Sequence, residues 1–152
     1  AQYKTDYHQM ALFTMFQYMI GNTDWSVPEL HNVELFFPEG GGPLCAIPYD
    51  FDFSGSVNAP YAIPDPKLPI ATVRQRLYRD FCRPREELQE VFLRFLSVKE
   101  EVYRLYEEMP LLDEGTRKQA LKYFDKFYET IQNERKIRRV FMQSCRGEAP
   151  AD

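Results

Sequence analysis

Eight of the chain's eleven prolines lie between Pro28 and Pro69. Proline locks φ, lacks an N–H and clashes with the preceding turn, so no regular helix can run through this stretch. The chain is thereby divided into a helical start, a proline-rich middle and a later region where helices can form. In the start, Leu12, Phe13, Phe16, Met19 and Ile20 follow helical spacing, and Met10, Met15 and Tyr18 fill the other sides. This predicts a helix over Asp6–Ile20 that is apolar almost all round, the pattern of a buried helix. Gly21-Asn22 is its stop signal.

In the middle, Val33–Phe37 and Leu44–Phe53 read as short strands around the turn signal Pro38-Glu39-Gly40-Gly41-Gly42-Pro43. The result is a hairpin, with Pro48 marking an edge or an interruption. Val57–Ile70 is irregular. From Thr72 onward the pattern is helical: Val73, Leu77 and Phe81 share a face, Pro84 opens a helix carrying Leu88, Val91, Phe92, Phe95 and Leu96, and Val98, Val102, Leu105, Tyr106 and Met109 continue to Pro110. Asp113 caps a helix with Leu121, Phe124, Phe127, Tyr128 and Ile131 inward. Ile137, Val140 and Phe141 belong to a last stretch closed by Gly147, and Glu148–Asp152 is a loose tail. The fold class is therefore mainly α with a small β-hairpin (α+β). One domain is expected over 1–147: the buried helix 6–20, a loop and hairpin 21–56, a proline-rich segment 57–71 and a helical subdomain 72–147.

At 152 residues and 44 % apolar content the chain can bury a core and is not disordered. No run of about 18 apolar residues exists, so no membrane span is expected. Residues 1–73 hold two bases and eight acids (−6), and residues 74–152 hold seventeen bases and fifteen acids (+2), which sums to the net −4. A nucleic-acid binder would show a dominant basic face, so nucleic acid is not an expected partner. The three cysteines, Cys45, Cys82 and Cys145, match no zinc spacing and read as thiols, with one disulfide open to them in an oxidising compartment. The chain begins without Met and without a signal-peptide core, which reads as a mature form or a piece of something longer.

Two polar clusters bracket the hairpin: Gly21-Asn22-Thr23-Asp24-Trp25-Ser26-Val27-Pro28-Glu29-Leu30-His31-Asn32 and Ile47-Pro48-Tyr49-Asp50-Phe51-Asp52-Phe53-Ser54-Gly55. A hairpin centred near 40–41 pairs positions whose numbers sum to about 81. Asn32 then lies opposite Tyr49 and next to Asp50. Asp50 and Asp52, two apart on a strand, point to one face. Grouped hard oxygens of this kind suit Mg²⁺ or Mn²⁺, held by few carboxylates plus phosphate oxygens and water. Phosphoryl transfer needs this set: one carboxylate to orient or deprotonate an attacking hydroxyl, and an Asn and an Asp for the metal.

These two stretches resemble the carboxy-terminal lobe of the kinase-like superfamily, with HipA-like kinases and, more closely, CotH-like kinases as the nearest branches. Val57-Asn58-Ala59-Pro60-Tyr61 is similar to a stretch found after the Asp-Phe-Asp of CotH-like proteins of Bacteroidetes. The resemblance implies that Asp24 is the catalytic Asp, that Asn32 and Asp50 are metal ligands, and that Asp52 is a further acid beside them. It implies Mg²⁺ or Mn²⁺ and ATP as cofactors, and transfer of phosphate to a hydroxyl acceptor. The step of eight from Asp24 to Asn32 is longer than in common kinase loops and like the CotH-like form. The amino-terminal lobe, with its phosphate-covering loop and Lys, has no counterpart here, and Lys4 is no substitute. The chain resembles half of a kinase fold that binds nucleotide poorly alone, and the resemblance points to an extracytoplasmic home. The alternative is a non-catalytic pseudokinase lobe or a helical interaction module.

The remaining polar features have plainer readings. His31 reads as a structural hydrogen bond, with a bridge to a phosphate or catalytic group as the alternative; His8 lies in core or surface; and Trp25 packs the loop or shapes a substrate pocket. Gly40-Gly41-Gly42 is a turn, since no Lys-Ser/Thr follows it. Arg135-Lys136-Ile137-Arg138-Arg139 is a solvated helix face. Arg74, Arg76 and Arg79 leave two readings open, structural or in contact with phosphate or an acidic substrate.

Overall fold

A computed structural model describes residues 5–147; Lys4 and the tail read at Glu148–Asp152 lie outside them. The chain divides into two compact units, Ala1–Arg79 and Asp80–Asp152. The fold class is mainly helical with a two-stranded antiparallel sheet.

The first unit is built on α1, Tyr7–Ile20. Asp6 sits extended before it, and its carboxylate accepts the Gln9 N–H at 2.7 Å, satisfying one of the amides that a helix start leaves unpaired. Asp6→Ala is expected to cost about 1 kcal/mol, read as a lower urea midpoint at unchanged slope. At the other end Gly21 adopts φ +69°, where a side chain would be strained, and its N–H returns to Gln17 O and Tyr18 O. Much of the apolar run is buried, Phe13, Met15 and Tyr18 among it, while Leu12 is exposed.

Strands β1, Val33–Phe36, and β2, Cys45–Pro48, pair antiparallel with Val33 opposite Pro48 and Phe36 opposite Cys45. Every pair sums to 81, the register expected from the turn. The turn itself needs Gly40, Gly41 and Gly42, with φ of +94°, +85° and +125°. Phe13, Trp25, Val33 and Ala46 form the core between helix and hairpin. Gln9 locks this docking: its Nε2 donates to Ala46 O at 2.6 Å and its Oε1 accepts the Ala46 N–H at 3.1 Å. One side-chain amide thus serves the backbone edge that a partner strand would serve.

Two expectations fail in this unit. The second strand stops at Pro48 instead of running to Phe53, because Asp50 takes a left-handed φ of +54° and leaves the ladder. Nor do residues 72–83 form a helix with Val73, Leu77 and Phe81 on one face; the apolar side chains buried there are Val73 and Tyr78. Amides that would begin the helix, Ala71 N–H and Thr72 N–H, donate to the Gln75 side-chain oxygen instead.

The second unit follows its apolar pattern in part: Leu88, Phe92, Phe124 and Phe127 are buried, whereas Val98 and Leu105 are exposed. The helix α2, Arg85–Ser97, buries Leu88, Val91, Phe92 and Phe95. After it comes α3, Lys99–Glu107, which buries none of its residues. The longest, α4, Glu114–Ile131, is capped by Asp113, whose Oδ1 accepts the Thr116 N–H at 3.0 Å. The cap accounts for the Asp113 carboxyl lying below its ordinary value, with the Thr116 side-chain bond the larger cause and the backbone bond next. The final turn, α5, Glu134–Ile137, runs into a π-helical segment, Arg138–Met142. Aromatic edges knit the core: Phe95 meets Phe127 at 5.7 Å and Phe92 meets Phe141 at 5.2 Å. Burial pushes the Tyr128 hydroxyl up to about 12.

Cys82 and Cys145 are joined in a disulfide, so the reading of three thiols is corrected, and Cys45 alone of the three is free. Cys82 N–H donates to Gly147 O at 2.7 Å and Arg146 N–H to Asp80 O at 2.9 Å, so backbone bonds flank the bridge. Beside it the buried carboxylate of Asp80 accepts from Arg83 Nε at 2.7 Å.

Candidate functional site

The loop between α1 and β1 is pinched shut. Ser26 N–H donates to His31 O and His31 N–H to Ser26 O, both at 3.0 Å, and Leu30 N–H donates to Val27 O. The proline-bearing segment Val27–Leu30 is therefore an excursion, and the eight-residue step from Asp24 to Asn32 covers little distance. Leu30 and Asn32 take φ of +52° and +53° to close it. Left-handed backbone outside glycine costs free energy, and it is tolerated most readily at Asn.

Asp24 is held at every polar atom. Its N–H donates to Asn22 Oδ1 at 3.0 Å. Asn32 Nδ2 donates to Asp24 O at 2.9 Å and to Asp24 Oδ2 at 3.0 Å. His31 Nε2 meets Asp24 Oδ1 at 2.9 Å, with both side chains partly exposed. The Asn32 contacts also settle which end of its amide is which. Both partners are acceptors, so the NH₂ must face Asp24. Asn32 Oδ1 then has no donor among the described residues.

The peptide around Asp24 is braced from a distance. Arg79 Nη1 donates to Thr23 O at 2.5 Å and to Trp25 O at 2.9 Å, the carbonyls on either side of Asp24. Its guanidinium lies 4.7 Å over the Trp25 ring, and Trp25 packs edge-on against Phe13 at 5.0 Å. Arg76 binds Tyr18 O and Met19 O at the end of α1, and Arg74 binds Gly55 O at 2.7 Å. The three arginines thus hold backbone carbonyls, which gives the structural one of the two readings left open for them its partners. Their spacing carried no sign of this, because each partner lies 19 or more residues away.

The second cluster follows β2. Tyr49 N–H donates to Asn32 O at 3.1 Å, extending the ladder one step past the strand in the same register. Asp50 then turns out of the ladder. Phe51 packs on Phe16 of α1 at 5.6 Å, and Ser54 N–H returns to Phe51 O. Asp50 and Asp52 therefore do not share a strand face, as alternation predicted. A turn brings them together instead. The Asp50 carboxyl is raised above its ordinary value, first by a side-chain hydrogen bond with Asp52, then by the Asp52 charge, then by slight burial; the Asp24 charge adds to this.

Asp52 has a further partner that the residue pattern did not single out. Tyr61 OH donates to Asp52 Oδ2 at 3.0 Å, and the Tyr61 ring lies 5.9 Å from Phe53. The same carboxylate raises the Tyr61 hydroxyl. A Tyr nine residues downstream in an irregular segment has no period that could have disclosed this pairing.

Among the described residues, no group of three or more His, Cys, Asp or Glu converges as a metal-ligand set. The residues read from the sequence as metal ligands, Asn32, Asp50 and Asp52, offer oxygen donors alone, a chemistry that suits Mg²⁺ rather than Zn²⁺. The chain matches no family model, no curated protein and no solved structure.

Proposed function

We propose that this chain is the acid-bearing lobe of a Mg²⁺-dependent phosphotransferase of the kinase-like superfamily, acting on a hydroxyl acceptor with ATP as donor. The observation that carries the reading is the Asn32 amide: it is tied to Asp24 through its nitrogen, which leaves its oxygen for a cation. In this reading Asn32 and Asp50 hold the metal and Asp52 assists. Asp24 accepts the proton of the attacking hydroxyl, and His31 and Asn32 keep its carboxylate aimed. Bound Mg²⁺ and ATP supply charge neutralisation and the phosphoryl group. A phosphate-covering loop and its Lys would come from outside residues 5–147. The Cys82–Cys145 bridge supports an oxidising compartment.

Thermal unfolding with Mg²⁺ or Mn²⁺ tests this. A cation at about 100 times its Kd stabilises by ~2.7 kcal/mol. Asp50→Asn is expected to abolish that shift. The same variant makes a second prediction for the metal-free protein. The folded pKa of Asp50 lies above its unfolded value, near 3.8. The stability it contributes is present at pH below the unfolded value and lost as pH rises through the folded one. At neutral pH, Asp50→Asn should therefore raise the metal-free Tm, and the gain should vanish as pH falls below that range. A Tm lowered at neutral pH, or a metal shift that survives in Asp50→Asn, would contradict the assignment.

The second reading is a non-catalytic interaction module. It is favoured by the exposed apolar side chains of the hairpin, Phe36, Phe37 and Ile47. It predicts no shift with either cation in the unsubstituted protein.

A further inference from the structure

The second unit carries a concavity of about 560 Å³ lined by Asn133, Glu134, Arg135, Lys136 and Arg139. Its size is within the range of about 300–1,000 Å³ of small-molecule sites, and four of its five lining residues carry charged ends. Three cations face one acid. That acid is already engaged, since Glu134 Oε1 accepts from Arg85 Nη2 at 2.5 Å. One cation is engaged too, since Lys136 Nζ pairs with Glu129 Oε1 at 2.6 Å. Arg135 and Arg139 are left without an acidic partner among the described residues. They stand four positions apart, hence neighbours on one helix face. The backbone beneath them is unusual: Gln143 N–H donates to Arg138 O five residues back, in the π-helical segment Arg138–Met142. Such widened turns cost hydrogen-bond geometry and occur often at functional sites. Two adjacent unpaired guanidinium groups in a hollow are matched by a tetrahedral dianion, which takes paired N–H donors from each.

We infer that this hollow binds a soluble phosphorylated small molecule through Arg135 and Arg139. Arg135, Arg138 and Arg139 are exposed, as the solvated-face reading has it, and the inference adds a ligand to that face; it is independent of the function proposed for Asp24 and its neighbours. A concave lining of this volume argues for a soluble ligand over a lipid headgroup, which a flat basic surface would serve.

The test is calorimetric titration of this protein with inorganic phosphate and with tripolyphosphate. Saturable binding of at least one is expected, weakening as salt rises. Arg135→Gln and Arg139→Gln should each lower the affinity about tenfold, the loss of one charge-assisted hydrogen-bonded contact. Both side chains are exposed, so unchanged far-UV dichroism and Tm should accompany the loss. Arg94→Gln, an exposed cation on α2, should bind as the unsubstituted protein does. Absence of binding, equal loss in Arg94→Gln, or unaltered affinity in both hollow variants would overturn the inference. So would binding confined to phosphatidylcholine vesicles carrying phosphatidic acid, with none to either soluble probe.

Discussion

Reducing the Cys82–Cys145 disulfide is expected to destabilise the helical unit by about 4 kcal/mol, the chain-entropy value for the loop it closes. The two cysteines lie 63 positions apart, so reduction frees a long loop in the unfolded chain while touching little of the folded packing. The backbone bonds flanking the bridge, Cys82 to Gly147 and Arg146 to Asp80, remain available to the reduced protein, as does the buried Asp80–Arg83 pair. The reduced unit should therefore fold with the same helix content and unfold at lower urea. Urea melts with and without a phosphine reductant measure this. Cys82→Ser should show the same loss and no further response to reductant. A melt that does not move after complete reduction would contradict the account. A native stability of about 5–15 kcal/mol makes a loss of this size easy to read.

The second large effect is expected at Asp24. Under the proposed function, Asp24→Asn or Asp24→Ala should lower phosphoryl transfer about 10²–10⁴-fold, the usual contribution of a positioned base. The Asn variant is the more informative. It keeps the shape and an acceptor for Asn32, whose amide bonds to both the carbonyl and the carboxylate of Asp24. With Asn32 held, nucleotide and metal affinity should change little while turnover falls, the pattern of a group that acts in the transition state. Turnover retained in both variants would remove Asp24 from the chemistry.

Particular residues show which features were legible and why. Asp6, Gly21 and the apolar run between them defined α1, because capping and left-handed closure are local physics that one residue type performs. The hairpin register followed from the glycine turn alone, since antiparallel pairing leaves no freedom once its centre is set. That register also put Asn32 across from Tyr49, where the Tyr49 N–H bond lies. What escaped depended on contacts distant in the chain or on single strained residues. The early end of β2 rests on the left-handed Asp50, which alternation cannot signal. The non-helical path of residues 72–83 is compatible with helical spacing, and the distant carbonyls that Arg74, Arg76 and Arg79 bind give no local cue. Asp50 and Asp52 come together by a turn where a strand was expected.

The central claim is that Asn32 and the Asp50–Asp52 pair take a divalent cation together. Paramagnetic broadening by Mn²⁺ in an NMR spectrum of this chain tests it most directly. The account predicts that resonances of Asn32, Asp50 and Asp52 broaden first and together, with Asp24 next, and that Asp50→Asn removes the effect. Sharp signals at these residues, while the exposed acids of α3 such as Glu100 and Glu107 broaden, would contradict it.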